Sequence, residues 1–530
     1  MAVRAGRSFV PSAEKLSRKP SRRGAADSAP VRSVLSRLWP AESRFESWAL
    51  IALCALAIGR IYFGAATLPF FADTDEQFHY DLVHKFARGH WPALYIEYWD
   101  PETVETVIFH HSPEFQAGPE EFDDGRIPPP LREMPTGPKR NMYAAFLRYQ
   151  LSQQPNHEAH SPPVYYALAG AWYDVGWLMG FSGPNAVYWV RFFNVPVFAA
   201  LVIAAFAFCR QLLGRDIALA VAALTALFPN NVFFTVNSDV LSPLTALLAI
   251  LLALRWCQSA QPSTRLGVGA GLLAATAVLV KLTNAAVLVV VGFAILVRLL
   301  RDRRPVDCLR ETWPLVLATS VPLILWGLRN RLELGDWTGT ATKVTQLTWT
   351  VKPWREVLDH PIFTAEGAKT YFVKLTANFF DGDANWYKHA ARSPVADTFI
   401  LVTSAVFPVI AVLATAWHGR GNWQSRLATI LSAVAVVAFL GVLIVLSMRF
   451  DFGDCPFPSR EFPFFTSGRL ISGAMVPFLT LYVCGIHTLV GRWPVLFALA
   501  VTTSAVFLVL AQMPFLSMAT HSQYNWFHLR

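Results

Sequence analysis

The sequence predicts an all-α polytopic membrane protein, with about eleven transmembrane helices and two large loops on the side opposite a basic N-terminus. Three observations carry this expectation. The 530 residues are 54% hydrophobic and only 15% charged, with a mean hydropathy of +0.37, whereas a soluble domain has roughly a quarter of its residues charged. Apolar runs of about twenty residues recur along the chain, each long enough to cross a hydrocarbon core of ~30 Å. These runs are continuous and rich in Leu, Ala and Val rather than alternating, which argues against strands. Helices satisfy their own backbone hydrogen bonds, so a helical bundle is the fold class that remains.

Residues 1–44 are rich in Arg, Lys, Ser and Pro and lack an apolar stretch. They read as a disordered, basic cytoplasmic tail that sets orientation, not as a secretory signal. Such a tail can touch anionic lipid headgroups, and the location of the charge argues against a nucleic-acid partner for a chain of net charge +9. The six cysteines (Cys54, Cys209, Cys257, Cys308, Cys455 and Cys484) are scattered, with neither metal-type spacing nor a disulfide framework.

The positive-inside rule then sets the side of each loop. A first span at about 48–70 runs outward and delivers Phe71 to His79 to the far side. A first outer loop, 71–186, follows. Its apolar stretch Ser161 to Phe181 contains Asp174 and many aromatics, and reads as a helix in the outer interface rather than a span. Spans two to six place Arg210, Arg215, Arg255, Arg298, Arg301, Arg303 and Arg304 inside, and Asn237, Asp239 and Lys281 outside. Counting Ser161 to Phe181 as a span would put the Arg298 to Arg304 cluster outside, which the rule rejects. A seventh span (about 313–328) opens a second outer loop, 330–395. Four more spans follow, the tenth beginning at Gly468-Arg469. The transmembrane module covers 45–490, and 491–530 forms the last helix and an outer C-terminus.

The residues that break this pattern point to chemistry. Lys281, Arg329 and Arg469 lie at the outer ends of three spans, where a cation is costly and usually has a partner. Any one of them alone fits snorkelling to headgroups. Three at one depth suggest a site for an anionic group, phosphate above all, with arginine forks giving bidentate contacts and lysine a point charge. Asp73, Asp75 and Glu76 directly follow the first span, and Asp239 follows the third. A carboxylate at the membrane edge can take a proton from an attacking acceptor, hold a divalent cation, or simply solvate a loop.

The run Asp75-Glu76-Gln77-Phe78-His79 resembles the Asp-Glu motif in the first outer loop of GT-C superfamily glycosyltransferases, which include protein O-mannosyltransferases and the lipid A aminoarabinose transferase. His160-Ser161-Pro162-Pro163-Val164-Tyr165-Tyr166 is similar to their Pro-Pro-Leu-Tyr-Tyr segment, and Arg191 opens the second span as it does there. A bacterial branch of unknown function offers more matches: Asn237-Ser238-Asp239, Lys281, Trp326 to Asn330 with Gly335-Asp336, and Gly468-Arg469-Leu470 with Pro477. The motifs run in the family's order from about 48 to 490. Val280 before Lys281, Leu470 where Tyr is usual, and a Pro-rich insertion at about 100–140 depart from the pattern.

The resemblance implies an inverting membrane glycosyltransferase of a bacterial inner membrane, with a cytoplasmic N-terminus and a periplasmic active site. Its partners would be a polyprenyl-phosphate-linked sugar donor, membrane lipid and an envelope glycan, lipid or protein acceptor. Asp75 would be the catalytic base, with Glu76 beside it orienting the acceptor or a metal. Lys281, Arg329 and Arg469 would bind the donor phosphate. Asp73, His79, Asn237 and Asp239 are candidates for metal or acceptor positioning, and a divalent cation such as Mg or Mn is a candidate cofactor. The spacing of His79, His110, His111, His157 and His160 is not specific to zinc. Loop aromatics such as Trp91, Trp99, Trp349 and Trp386 read as interfacial anchors, with room for one or two to stack on sugar. Asp381-Gly382-Asp383 reads as a turn, with a sugar-nucleotide or metal role as the alternative. The alternatives are a lipid-linked oligosaccharide ligase or polymerase, and a lipid or glycan transporter, for which internal repeats would be expected.

Overall fold

The computed structural model describes residues 41–72, 75–122, 124–301, 305–417, 423–455 and 457–525. Most of the basic tail, Asp73, Arg303 and Arg304 therefore lie outside the described residues.

Among the described residues, nine helices are long and apolar enough to cross a membrane: Arg44–Thr67, Pro184–Leu212, Ser238–Gln258, Leu282–Arg301, Leu309–Leu334, Pro394–Trp417, Trp423–Arg449, Gly468–Val490 and Pro494–His521. They correspond to spans one, two, four and six to eleven. The expected third and fifth spans are also apolar helices, but shorter. Thr264–Val280 has 17 residues and Arg215–Ala226 only 12. At 1.5 Å per residue these reach about 25 and 18 Å.

The third span is short because Pro229 interrupts it. The chain re-forms as a 3-10 turn at Asn231–Phe234, and the freed carbonyls need donors. Arg60 of the first span donates Nε–H to the Ala226 carbonyl at 2.9 Å. Gln512 of the last span donates to the Pro229 carbonyl at 2.8 Å and accepts from Arg60 at 3.1 Å. The fifth span stops at Lys281, whose extended backbone leads into a 3-10 turn at Leu282–Ala285. Asn284 returns its amide to the Ala277 carbonyl at 2.9 Å. Both breaks leave polar side chains at the ends of spans.

Glycines set the close crossings. A Cβ on Gly271 would lie 2.3 Å from the Leu315 carbonyl oxygen, and one on Gly485 would lie 2.1 Å from that of Phe407, so small residues let these helices touch backbone to backbone. Arg298 is buried, donating to the carbonyls of Trp256 and Ser259 at 3.1 and 2.6 Å and pairing with Glu311. It caps the end of the fourth span, a structural task beyond the orientation signal expected of it.

The long connections are helical. The first holds Glu76–Ala87, Pro101–His110, Pro138–Gln153 and Val164–Leu178. The last of these is the core of the stretch read as interfacial. It has 15 residues, is not among the nine long helices, and packs on Glu76–Ala87. The second connection holds Thr340–Gln346 and Ala365–Asp381. Among the described residues, sheet is limited to two-residue pairs, Thr350–Val351 with Phe450–Asp451 and Asn385–Trp386 with His389–Ala390, and an isolated bridge between Tyr98 and Pro155. After the last span, Tyr524 donates its hydroxyl to the Pro128 carbonyl at 2.8 Å and Gln523 donates to the same carbonyl at 3.0 Å. Gln523 and Tyr524 thus lie against the first long loop. From Ala41 onward the chain is one unit.

Candidate functional site

The first span ends at Thr67 and is followed by a buried Phe70-Phe71-Ala72 turn. Asp75 then sits in the left-handed region, with φ of +67°, a conformation Asp tolerates better than most residues. Its carbonyl accepts from the amides of Phe78 and His79 and so starts helix Glu76–Ala87. Its side chain makes no cap hydrogen bond and reaches a distant partner instead. Arg469 Nη2 donates to Asp75 Oδ2 at 2.6 Å, and His157 Nε2 lies 3.4 Å from Oδ1. Burial would raise the Asp75 carboxyl, but Arg469, His157 and Lys343 outweigh it and hold it well below the usual carboxylate range.

Arg469 is placed by a backbone constraint. Gly468 packs so tightly on helix Ala365–Asp381 that a Cβ would come within 2.1 Å of the Phe379 nitrogen. Its guanidinium faces three carboxylates: Asp75, Asp383 at 3.3 Å and Asp239 at 3.8 Å. Gly382, with φ of +71°, turns the chain after Ala365–Asp381 and delivers Asp383, which also accepts from Ser467 Oγ at 2.7 Å. Burial raises the Asp383 carboxyl against the pull of Arg469.

Lys281 Nζ lies 3.1 Å from Asp239 Oδ1. Asn237 Oδ1 accepts from the Asp239 amide at 2.9 Å and so fixes that turn. Asp239 therefore links Lys281 to Arg469. On the other side, Glu158 pairs with Lys343, and His157 lies between Glu158 and Asp75. Four carboxylates (Asp75, Glu158, Asp239, Asp383) surround three cations (Lys281, Lys343, Arg469). The surplus of acid suits a further cation. Ligand atoms of Asp75, His157 and Glu158 all lie within 4.8 Å of one another, a set of hard oxygens and one imidazole that fits a divalent ion.

The structure places the other expected site residues as follows. Glu76 is fully buried. Both its oxygens take the Arg191 fork at 2.7 and 2.6 Å, and they accept in addition from the amides of Val236 and Phe71 at 3.0 and 2.9 Å. Arg191 is equally buried and also donates to the carbonyls of Ala65, Leu68 and Pro69. The pair ties the first span to the second and carries no free valence for substrate. Arg329 is not part of the Lys281–Arg469 network. It pairs with Glu333, donates to the Pro92 carbonyl and lies over the Trp91 ring at 5.1 Å.

His79 is buried against Tyr166, Nδ1 to hydroxyl 2.7 Å, and burial pulls its pKa down to about 3, so it packs as a neutral ring. Asp73 falls outside the described residues. Sequence reading missed Glu158 and Lys343, took Asp383 as part of a turn with a sugar-nucleotide or metal role as the alternative, and weighed His157 only for zinc. All four lie in long loops, where charge is ordinary, and only the position of His157-Glu158 just before Ser161-Pro162-Pro163 was a usable signal.

Residues 61–453 match a family described as "Predicted membrane protein (DUF2142)". A comparison with curated proteins finds no match. Among solved structures, the fold is similar to the Archaeoglobus fulgidus oligosaccharyltransferase in complex with Zn and sulfate, at 12% identity and a TM-score of 0.41 over 89% of this chain and 53% of that one. It is also similar to ArnT from Cupriavidus metallidurans bound to undecaprenyl phosphate, at 15% identity and a TM-score of 0.33 over 84% and 78%. This chain spans about half the length of the oligosaccharyltransferase (53%). The family match covers most of the chain from the first span to the ninth, and the protein belongs to the DUF2142 family of membrane proteins.

Proposed function

We propose that the protein is a glycosyltransferase that moves a sugar from a polyprenyl-phosphate carrier to an acceptor at the periplasmic face of a bacterial inner membrane. The observation that carries this reading is the pairing of Asp75, at the end of the first span, with Arg469, at the start of the tenth, beside the Lys281–Asp239 pair. It joins a carboxylate that can accept a proton to cations that can accept a phosphate, both at the ends of apolar helices where a lipid-borne donor would present its head.

In the resting site Arg469 and Lys281 are neutralised by carboxylates. A donor phosphate would draw the Arg469 fork and Lys281 toward itself, since charge-assisted bidentate contacts to phosphate are strong. That exchange frees Asp75 Oδ2. The acceptor hydroxyl or amine then attacks the anomeric carbon, its proton passes to Asp75, and the bond from that carbon to the phosphate oxygen breaks. The leaving phosphate gains charge, which Arg469 and Lys281 stabilise. A single displacement of this kind inverts the anomeric centre.

A divalent cation on Asp75 Oδ1, His157 and Glu158 would add positive charge beside the donor. Asp239 positions both cations, and Asp383 holds the far side of Arg469.

The test is sugar release from a panel of polyprenyl-phosphate sugars by the purified protein, comparing wild type with Asp75→Asn and Arg469→Ala. Turnover lost in both variants with the fold retained supports the reading. Equal turnover in all three, or none with any donor, rejects it.

A further inference from the structure

The Pro-rich insertion, which has no part in the chemistry above, encloses a cavity of about 890 Å³ with helices Pro101–His110 and Pro138–Gln153. Its volume is at the upper end of the usual ~300–1,000 Å³ for small-molecule sites. None of its lining residues belongs to the nine apolar helices. Gln77 and Phe78 line it and stand in the first turn after Asp75. Phe78 also packs on the His157 ring, centroids 4.0 Å apart, and His157 is the neighbour of Asp75. The cavity therefore abuts the proposed base.

The lining has a definite chemical character. No Asp, Glu, Lys or Arg contributes to it among the described residues. His111 is there too, and burial pulls its pKa down to about 4, so it is uncharged at neutral pH. The polar surface comes instead from amides, including Gln77, Gln150 and Gln154, and the rest from aromatic and apolar side chains, including Trp99 and Tyr149. Two of these residues also carry a buried polar atom with no hydrogen-bond partner among the described residues, Gln77 Oε1 and Trp99 Nε1. A hydroxyl group both donates and accepts, so it pairs with either the oxygen or the NH2 of an amide. Amides for hydroxyls, flat rings for C–H faces and no fixed charge form a site for a neutral, polyhydroxylated chain. The cavity is also held from outside, because Tyr524 lines it and bonds to Pro128.

We infer that this cavity binds a neutral oligosaccharide as the acceptor, its reactive hydroxyl directed toward Asp75. The inference rests on the transferase reading for the word acceptor, while the binding itself is independent of it.

The experiment measures binding of neutral linear oligosaccharides of several sugar types to the full chain in lipid nanodiscs, by saturation-transfer NMR and titration. A uronic-acid oligosaccharide and an uncharged peptide are the comparison probes. Tyr149→Ala and Gln150→Ala are the variants, at exposed positions on helix Pro138–Gln153, where folding should survive. The expected result is binding of at least one neutral oligosaccharide, weakened about threefold to tenfold by Tyr149→Ala through loss of ring contact. Binding of no neutral saccharide at millimolar concentration, equal binding by the variants, or preference for the charged or peptide probe overturns the inference. Normal saccharide binding without transfer from any donor would retire the transferase reading and leave the saccharide site standing. Transfer unaffected by either variant would overturn the acceptor role alone.

Discussion

Arg469 and Asp75 are 394 residues apart in the chain and meet at 2.6 Å. The contact joins the start of the tenth span to the end of the first, and it sets a guanidinium among three carboxylates rather than one. Such an arrangement keeps Asp75 ionised and holds Arg469 in place, yet leaves the cation exchangeable, because Asp239 and Asp383 lie farther away at 3.8 and 3.3 Å.

Asp75→Asn should therefore abolish transfer without unfolding the protein. General-base groups contribute typically 10²–10⁴-fold to rate, and a loss of about that size is expected in turnover with the best donor. The Asp75 side chain is one-fifth exposed, so the thermal midpoint should shift by only a few degrees. Turnover within about threefold of wild type would remove Asp75 from the base position.

Arg469→Lys keeps the charge but loses the fork, and Lys281→Ala removes a point charge. Both should weaken binding of polyprenyl phosphate itself, by about tenfold or more for each, since hydrogen bonds to charged groups contribute about 1.5–3 kcal/mol. Titration of the lipid phosphate, with no sugar attached, measures this directly. Arg329→Ala serves as the contrast. Its partners are Glu333 and Trp91, and its effect on that titration should be under about twofold.

The bundle was legible because apolar runs and basic loop ends are additive, local signals. Even the short third and fifth spans stood out, although the breaks at Pro229 and Lys281, and the Arg60–Gln512 pair that covers the first of them, depend on contacts between distant helices. Lys281 and Arg469 were visible as cations on the wrong side. Arg329 gave the same signal for a different reason, and the clue was Glu333 four residues on, one helical turn away. Asp75 and Glu76 are adjacent acids that nothing in sequence separates. The left-handed backbone at Asp75 sends the two in different directions, one to Arg469 and the other to Arg191. Asp383 and Lys343 join the site only through tertiary packing of the second long loop.

Glu76 supplies a test that distinguishes structure from chemistry. Breaking a buried ion pair by removing one partner costs about 3–5 kcal/mol, and Glu76 also accepts two backbone amides. Glu76→Ala and Arg191→Ala should lower the thermal midpoint by several degrees and reduce yield from the membrane, well beyond Asp75→Asn. A folded Glu76→Ala protein of wild-type midpoint, inactive only in transfer, would restore the catalytic role that its burial argues against.

The acid surplus predicts metal dependence. Chelation with EDTA should reduce transfer, and readdition of Mn or Mg should restore it. His157→Ala removes one of the three candidate ligands and should raise the concentration of metal needed by about tenfold or more, since changing even an outer-shell partner costs about 10–100-fold. Isothermal titration with Mn, in the absence of donor, reads the same site without catalysis. Full activity in EDTA together with no heat of Mn binding would exclude the ion.

Asp381 allows a prediction of pH dependence away from the metal-binding candidates. Burial, with the nearby Asp397, pushes its pKa up to about 8 against the pull of Arg392; its ordinary value is 3.8. Between those two values the folded state holds a proton that the unfolded state has released. Stability must then fall as pH rises from about 4 toward 8, and level off above. Asp381→Asn mimics the protonated form and should flatten this dependence, raising stability at pH 8.5 by a few kcal/mol, about 2–5. The thermal midpoint from pH 5 to 9 measures it. Because Asp381 precedes the Gly382 turn that delivers Asp383 to Arg469, the stabilised variant should keep its lipid-phosphate affinity at pH 8.5, while wild type loses some of its own. Parallel pH curves for the two proteins would show that Asp381 is ionised in the folded state across the whole range.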